Sequence, residues 1–259
     1  MADQCMFVPD GDGFQPTEWA VGPWSKDLLQ GSAFGGLMVR ALERSMTPGT
    51  VLARLSFDLW RPVTRERLTP SVTVLRDGRK ARTLEVALSQ GDKAVARCTA
   101  VCLKADASVE PAPVDRTPPR LAPEAGRPIP DVARRWSPFF TGVDTRVVEG
   151  DLLRPGPAAC WFNLERALVA GETNSALVHT VSAADLCSGI SAVVDLRRVT
   201  FVNADLTLVF WRAPRAPWIM LSAETRVGNQ GTGVARGTLS DIDGAFGACE
   251  QTLIFERRT

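Results

Sequence analysis

The stretches "VLARLSFDLWR", Val51 to Arg61, and "VNADLTLVFWR", Val202 to Arg212, are one apolar strand pattern written twice, 151 residues apart. The same offset lays 51–104 over 202–255 without a gap. It pairs Leu55 with Leu206, Trp60-Arg61 with Trp211-Arg212, Leu88-Ser89 with Leu239-Ser240, Asp92 with Asp243 and Cys98 with Cys249. Roughly one position in five is identical, against about one in fifteen by chance, and such self-similarity is the mark of a duplicated unit.

Each copy reads as an apolar helix followed by antiparallel strands. In the first, "GGLMVRALERSM" sets Leu37, Met38, Ala41 and Leu42 at helical spacing. Strand-like runs follow, turning at Asp77-Gly78 and Gly91-Asp92, and the second copy repeats the order with its matching hairpin signal at Asp243-Gly244. Trp60 and Trp211, equivalent in the repeat, are expected in the core. Between the copies, seven prolines from Pro111 to Pro130 exclude helix or central strand and predict an exposed linker. The expected organisation is an N-terminal unit at 1–104, a linker at 105–135 and a C-terminal unit at 136–259. The fold class is α+β: a helix cradled by an antiparallel sheet, built twice, so that one chain mimics a two-fold dimer. This arrangement is a double hotdog.

Composition narrows the function. The 259 residues are 45% apolar, enough for a sizeable core, and 30 basic against 29 acidic side chains leave a net charge of +1. Nucleic-acid and membrane-surface partners are therefore not expected. The start of the sequence has neither a basic nor an apolar leader region, and no run approaches the ~18 apolar residues of a membrane span, which points to a cytoplasmic protein. Six scattered cysteines without CxxC spacing read as reduced core residues rather than disulfides or zinc ligands.

One carboxylate stands out in "HTVSAADLCSGI", His179 to Ile190. On a helix from about Thr173, capped there or at Asn174, to about Val194, Val178, Val181 and Asp185 share one apolar face. A carboxylate so placed must be hydrogen-bonded, protonated or functionally hydrated. It either activates a water or is satisfied as a structural group, capping a break near Ser182 or meeting a core partner. His179, the single histidine, is six residues away and off that face. No G-x-S-x-G elbow offers a serine nucleophile.

The segments "AFGGLMVRALERS", "FDLWRPV" and "VLRDGRKARTLEVALSQGDKAVARCTAVCLK" resemble the N-terminal hotdog of type II acyl-CoA thioesterases, the TesB-like branch. "AADLCSG", "FVNADLTLVFWRAP" and "GVARGTLSDIDGAFGACEQTLIFERR" resemble their C-terminal hotdog. The resemblance implies hydrolysis of an acyl-CoA thioester with no metal, cofactor or prosthetic group. In that family a water is held by an Asp on the second helix, a Thr or Ser on the next strand and a Gln near the C-terminus. Those positions fall on Asp185, Asn203 and Gln251, and Asn203 departs from the pattern because an amide replaces the hydroxyl. Backbone N–H groups at a helix start would stabilise the oxyanion. Gly35-Gly36, expected to open the first helix, either serves there or allows tight helix packing. The 151-residue offset places Phe34 opposite Asp185, so that one of two symmetric sites would be disabled. An enoyl-thioester hydratase and a non-catalytic acyl-CoA or lipid-binding protein are the alternatives, and a homo-oligomer is left open.

Overall fold

The computed structural model describes residues 4–106, 108–109 and 121–258. The first half contains β1 (Cys5–Asp10), β2 (Gly13–Pro16), α1 (Gly31–Glu43), β3 (Thr50–Leu59), β4 (Thr69–Asp77), β5 (Ala81–Gln90) and β6 (Lys93–Lys104). The second contains β7 (Arg127–Pro128), α2 (Asp131–Arg134), β8 (Val143–Glu149), β9 (Ala158–Leu164), β10 (Ala167–Val169), α3 (Ala176–Ala184) and α4 (Cys187–Ile190). It ends with β11 (Val199–Asn203), β12 (Asp205–Phe210), β13 (Ile219–Val227), β14 (Thr232–Asp241) and β15 (Gly244–Arg257).

One long antiparallel sheet runs β4-β5-β6-β3-β12-β15-β14-β13-β9-β8-β7, with β11 also on β15. The two halves join where β3 pairs with β12, and Ser56 faces Thr207, its own counterpart in the repeat, their hydroxyl oxygens 3.2 Å apart. A residue that meets its own counterpart lies on the pseudo-two-fold axis. Leu55 opposite Leu208 and Phe57 opposite Leu206 complete the symmetric seam. The duplication extends to irregularities: the ladders β5–β6 and β14–β15 shift register at Leu88/Ser89 and Leu239/Ser240, the same repeat position. Gly91, at φ +54°, makes the β5–β6 hairpin turn in a conformation that an L side chain resists.

Strand parity decides what is buried. Leu55, Phe57, Leu206 and Leu208 point inward, so Trp60 and Trp211 fall on the opposite phase, and they are 50% and 60% exposed rather than in the core. Arg97 covers the Trp60 ring, and the Trp211 indole donates to the Ala245 carbonyl. The inward faces enclose α1 and α3, which pack antiparallel: Gly35 lies against Val181, and Gly36 against Val178 and Leu168. Cys98, Cys102, Cys160, Cys187 and Cys249 pack in this interior as thiols, and Cys5 is buried too.

Two features lie outside the sequence expectations. The N-terminal hairpin crosses to the other half, β1 pairing in parallel with β10 through Cys5–Ala167 and Phe7–Val169. Residues 110–120 of the proline-rich segment lie outside the described residues. From Leu121 the chain is already packed on the second half, its carbonyl accepting from the Trp161 indole, with Pro123 and Ile129 buried and Pro128 on the short edge strand β7.

The repeat also places Gln90 and Asp241 at matching positions, and each ties down the loop beside its hairpin. Gln90 bonds Thr64 and Glu66, whereas fully buried Asp241 accepts from Arg212 and from the Arg215 and Asp243 N–H groups. Burial pushes the Asp241 carboxyl up, but Arg212 and the two N–H groups outweigh it, and its pKa falls below the ordinary value. Stability from this group is therefore full above the ordinary carboxylate range and is lost as pH falls through the depressed value. Asp241→Asn is expected to cost about 2 kcal/mol at pH 7, with the difference from the parent vanishing in strong acid, as read from denaturant melts across pH.

Candidate active site

The second helix is shorter than its periodicity suggests. Ser175, not Thr173 or Asn174, caps α3, its hydroxyl accepting the Val178 N–H at 3.2 Å. Asn174 instead pins the neighbouring turn through Leu164, Arg166 and Leu168. The helix stops at Ala184, and Asp185 and Leu186 form a break before α4. Gln251 spans that break. Its Nε2 donates to the Asp185 carbonyl at 3.0 Å, and its Oε1 accepts the Ser188 N–H at 3.0 Å. The fully buried amide thus satisfies backbone groups that a helix end leaves without partners. It touches the Asp185 backbone rather than its carboxylate.

Val178, Val181 and Asp185 do share one face, and that face meets α1. Because the helices are antiparallel, Asp185 arrives at the N-terminal end of α1. Its Oδ2 accepts from Gln30 Nε2 at 2.9 Å and from Ser32 Oγ at 3.0 Å, and the Ser32 N–H also donates to the carboxylate. Oδ1 receives a longer bond from Asn203 Nδ2, at 3.3 Å. The helix dipole and these donors favour the ionised form. Burial opposes them more strongly, because Asp185 is 8% exposed, and its pKa is raised above the ordinary value.

Gly31 is what makes the approach possible. A Cβ there would lie 2.5 Å from Oδ1 and 2.8 Å from Oδ2 of Asp185. Of the groups around the carboxylate, Gln30 and Ser32 are buried, while Gly31 and Asn203, on the Oδ1 side, are partly exposed.

The structure therefore brings Asp185 and Asn203 together, with Gln251 beneath them. Gly35 and Gly36 stand elsewhere, inside α1 at the helix crossing. There their N–H groups belong to the helix ladder and their missing side chains allow close packing. The glycine at the true helix opening is Gly31. Gln30 and Ser32 were not expected from the sequence; polar residues before an apolar helix read as a local cap, and nothing local reports a partner 155 residues away.

His179 is buried on another face of α3. Its Nδ1 accepts the Leu164 N–H, and burial lowers its pKa to about 4, so it is neutral at physiological pH. Phe34 is not the counterpart of Asp185. The loops after the helices differ in length, 44–49 against 191–198, so the strand offset does not carry into the helices. The opposite end of the helix pair holds Arg40 and Arg44 on Glu172, and Ser175 donating to Glu43 at 2.7 Å, around a cleft of about 270 Å3. One end of the pair carries a carboxylate among neutral donors. The other carries a guanidinium–carboxylate network.

Comparisons with known proteins agree with this architecture. Residues 20–103 match the family model for the acyl-CoA thioesterase N-terminal domain, and residues 123–255 that for the acyl-CoA thioesterase C-terminal domain. Among solved structures, the acyl-CoA thioesterase II TesB2 of Mycobacterium marinum is 19% identical with a TM-score of 0.69, over 90% of this chain and 93% of that one. The tesB protein of Mycobacterium avium subspecies paratuberculosis is 15% identical at TM-score 0.68, covering 96% and 95%. A hotdog-fold protein of unknown function from Alicyclobacillus acidocaldarius is 15% identical at TM-score 0.75, covering 99% and 98%. These likenesses establish the double hotdog. No curated protein sequence matches the chain. No helix among the described residues is long and apolar enough to cross a membrane. With both of its halves matched in order by the family's two domains, the chain belongs to the acyl-CoA thioesterases.

Proposed function

We propose that the protein hydrolyses an acyl-CoA to the free acid and CoA at the N-terminal end of α1, with Asp185 as the general base. The observation that carries this reading is a buried carboxylate whose Oδ2 is held by two side-chain donors while Oδ1 faces the half-exposed Gly31 and Asn203.

The chemistry needs a water stripped of a proton as it attacks the thioester carbonyl. Oδ1 takes that proton, and burial supports the role by raising the basicity of the carboxylate. Asn203 orients the water through its amide, supplying a polar group where the family has a hydroxyl. The negative charge that develops on the carbonyl oxygen is stabilised by the Gly31 N–H at the start of α1, since the Ser32 N–H serves Asp185 and those of Ala33 and Phe34 serve the Gln30 carbonyl. Collapse of the tetrahedral intermediate breaks the C–S bond, the thiolate leaves and takes up the proton from Asp185, and the acid and CoA are released. Gln251 acts on the backbone, holding the α3–α4 break that aims Asp185.

A cytoplasmic location fits the buried thiols, which a reducing compartment preserves.

Incubating the protein with acyl-CoAs of graded chain length and a thiol-trapping chromophore tests the reading. Catalytic release of CoA from at least one of them is the expected result. Saturable binding without release would identify a carrier instead, and hydration of an enoyl-CoA with the thioester intact would identify a hydratase.

A further inference from the structure

The two ends of the Gln30 side-chain amide have opposite surroundings. Nε2 donates to Asp185 Oδ2 at 2.9 Å, whereas Oε1 is buried without a hydrogen-bond partner and points toward Gly22, where a Cβ would lie 3.0 Å away. The residue as a whole is 7% exposed. Leaving a buried acceptor unsatisfied costs about 1–3 kcal/mol, and folded chains keep few such groups. Turning the amide over would set Oε1 against Oδ2, acceptor against acceptor, so the carboxylate fixes its orientation.

Backbone needs do not explain the residue. The Gln30 N–H donates to Ala20, its carbonyl accepts from Ala33 and Phe34, and its side chain makes no capping bond to α1. A leucine would fill nearly the same volume and strand no polar atom. Packing and capping thus both favour an apolar residue here, and the bond to Asp185 is what a glutamine adds.

Resting on the assignment of Asp185 as base, we propose that Gln30, with Ser32 beside it, is a positioning residue for hydrolysis: from the N-terminal half it immobilises Oδ2 and favours the ionised carboxylate. The groups that meet Asp185 from the surrounding elements are Gln30 and Ser32 of the α1 start, Asn203 of β11 and Gln251 of β15, all uncharged. The nearby Cys187 thiol on α4 is pushed well above its ordinary range by its hydrogen bond to Cys249 and by burial, and it stays neutral. Hydrogen-bond donors are therefore what works against burial at this carboxylate.

The test is the pH dependence of kcat/KM for Gln30→Leu. Removing a donor to a charged group should move the acid limb upward by about one pH unit. Activity is then lost most at low pH and recovers toward the parent value above the shifted limb, with KM within about twofold and thermal stability near the parent's, because removal of the stranded carbonyl offsets the lost bond to the carboxylate. Ser32→Ala should shift the limb in the same direction, and it keeps the question open to decision if Gln30→Leu folds poorly. An acid limb that stays in place while kcat falls evenly at every pH overturns the proposal. Asp185→Asn measured in parallel separates the two failures: if it remains active, the base assignment is wrong, whereas if it is dead and the limb in Gln30→Leu is unmoved, only the role of Gln30 is wrong.

Discussion

Asp185→Asn is expected to lower kcat for acyl-CoA hydrolysis by roughly 10²–10⁴-fold, the usual contribution of a positioned general base, with KM changed little. The substitution preserves size and keeps one oxygen for Gln30 and Ser32, while the second position turns from acceptor to donor and can no longer take a proton from water. Stability should move the other way. A carboxyl whose pKa is raised on folding costs stability at neutral pH, and that cost fades as pH falls through the raised value. The asparagine variant should therefore melt at or above the parent temperature at pH 7, and the two curves should converge in acid. Near-parental turnover by the folded variant would remove Asp185 from the mechanism.

Gly31→Ala should be nearly as damaging for a purely steric reason. Backbone strain is not involved, since alanine is a better helix former than glycine. The added methyl would sit 2.5 Å from Oδ1 and 2.8 Å from Oδ2, well inside van der Waals contact, so either Asp185 or the start of α1 must give way. Overpacking of this kind costs about 1–3 kcal/mol. A displacement of about 1 Å at the reacting atoms is worth on the order of 100-fold in rate. The expected variant is folded, somewhat less stable and at least 100-fold slower. Gly189→Ala, on an exposed position of α4 without a positive φ and with nothing within 4 Å of the added methyl, controls for generic glycine effects. An active Gly31→Ala would mean that substrate does not approach over this residue.

Much of the fold was legible because the duplication is written in period-two apolar strands, where phase and spacing survive divergence. The same phase places Trp60 and Trp211 outside, and expecting them in the core followed residue type instead of strand parity. Helix limits were harder to read. The α3 break depends on the Gln251 amide, 66 residues further along, and the apolar pattern continues through it. Asp185 was visible as a charge in an apolar stripe, and its setting was not, since Gln30, Gly31 and Ser32 reach it only through the antiparallel packing of two helices. Gly35-Gly36 drew attention as a pair, whereas the glycine against the carboxylate is single and unremarkable in sequence.

Ser56 facing Thr207 across the seam has a genetic meaning. In a dimer of identical chains every substitution appears at both ends of the helix pair, so a change that helps one end must be tolerated at the other. Here the two copies are covalently one and can mutate independently. The end with Asp185 and the end with Arg40 and Glu172 are free to answer to different selection, while the strand ladder between them still keeps the symmetry of the ancestor.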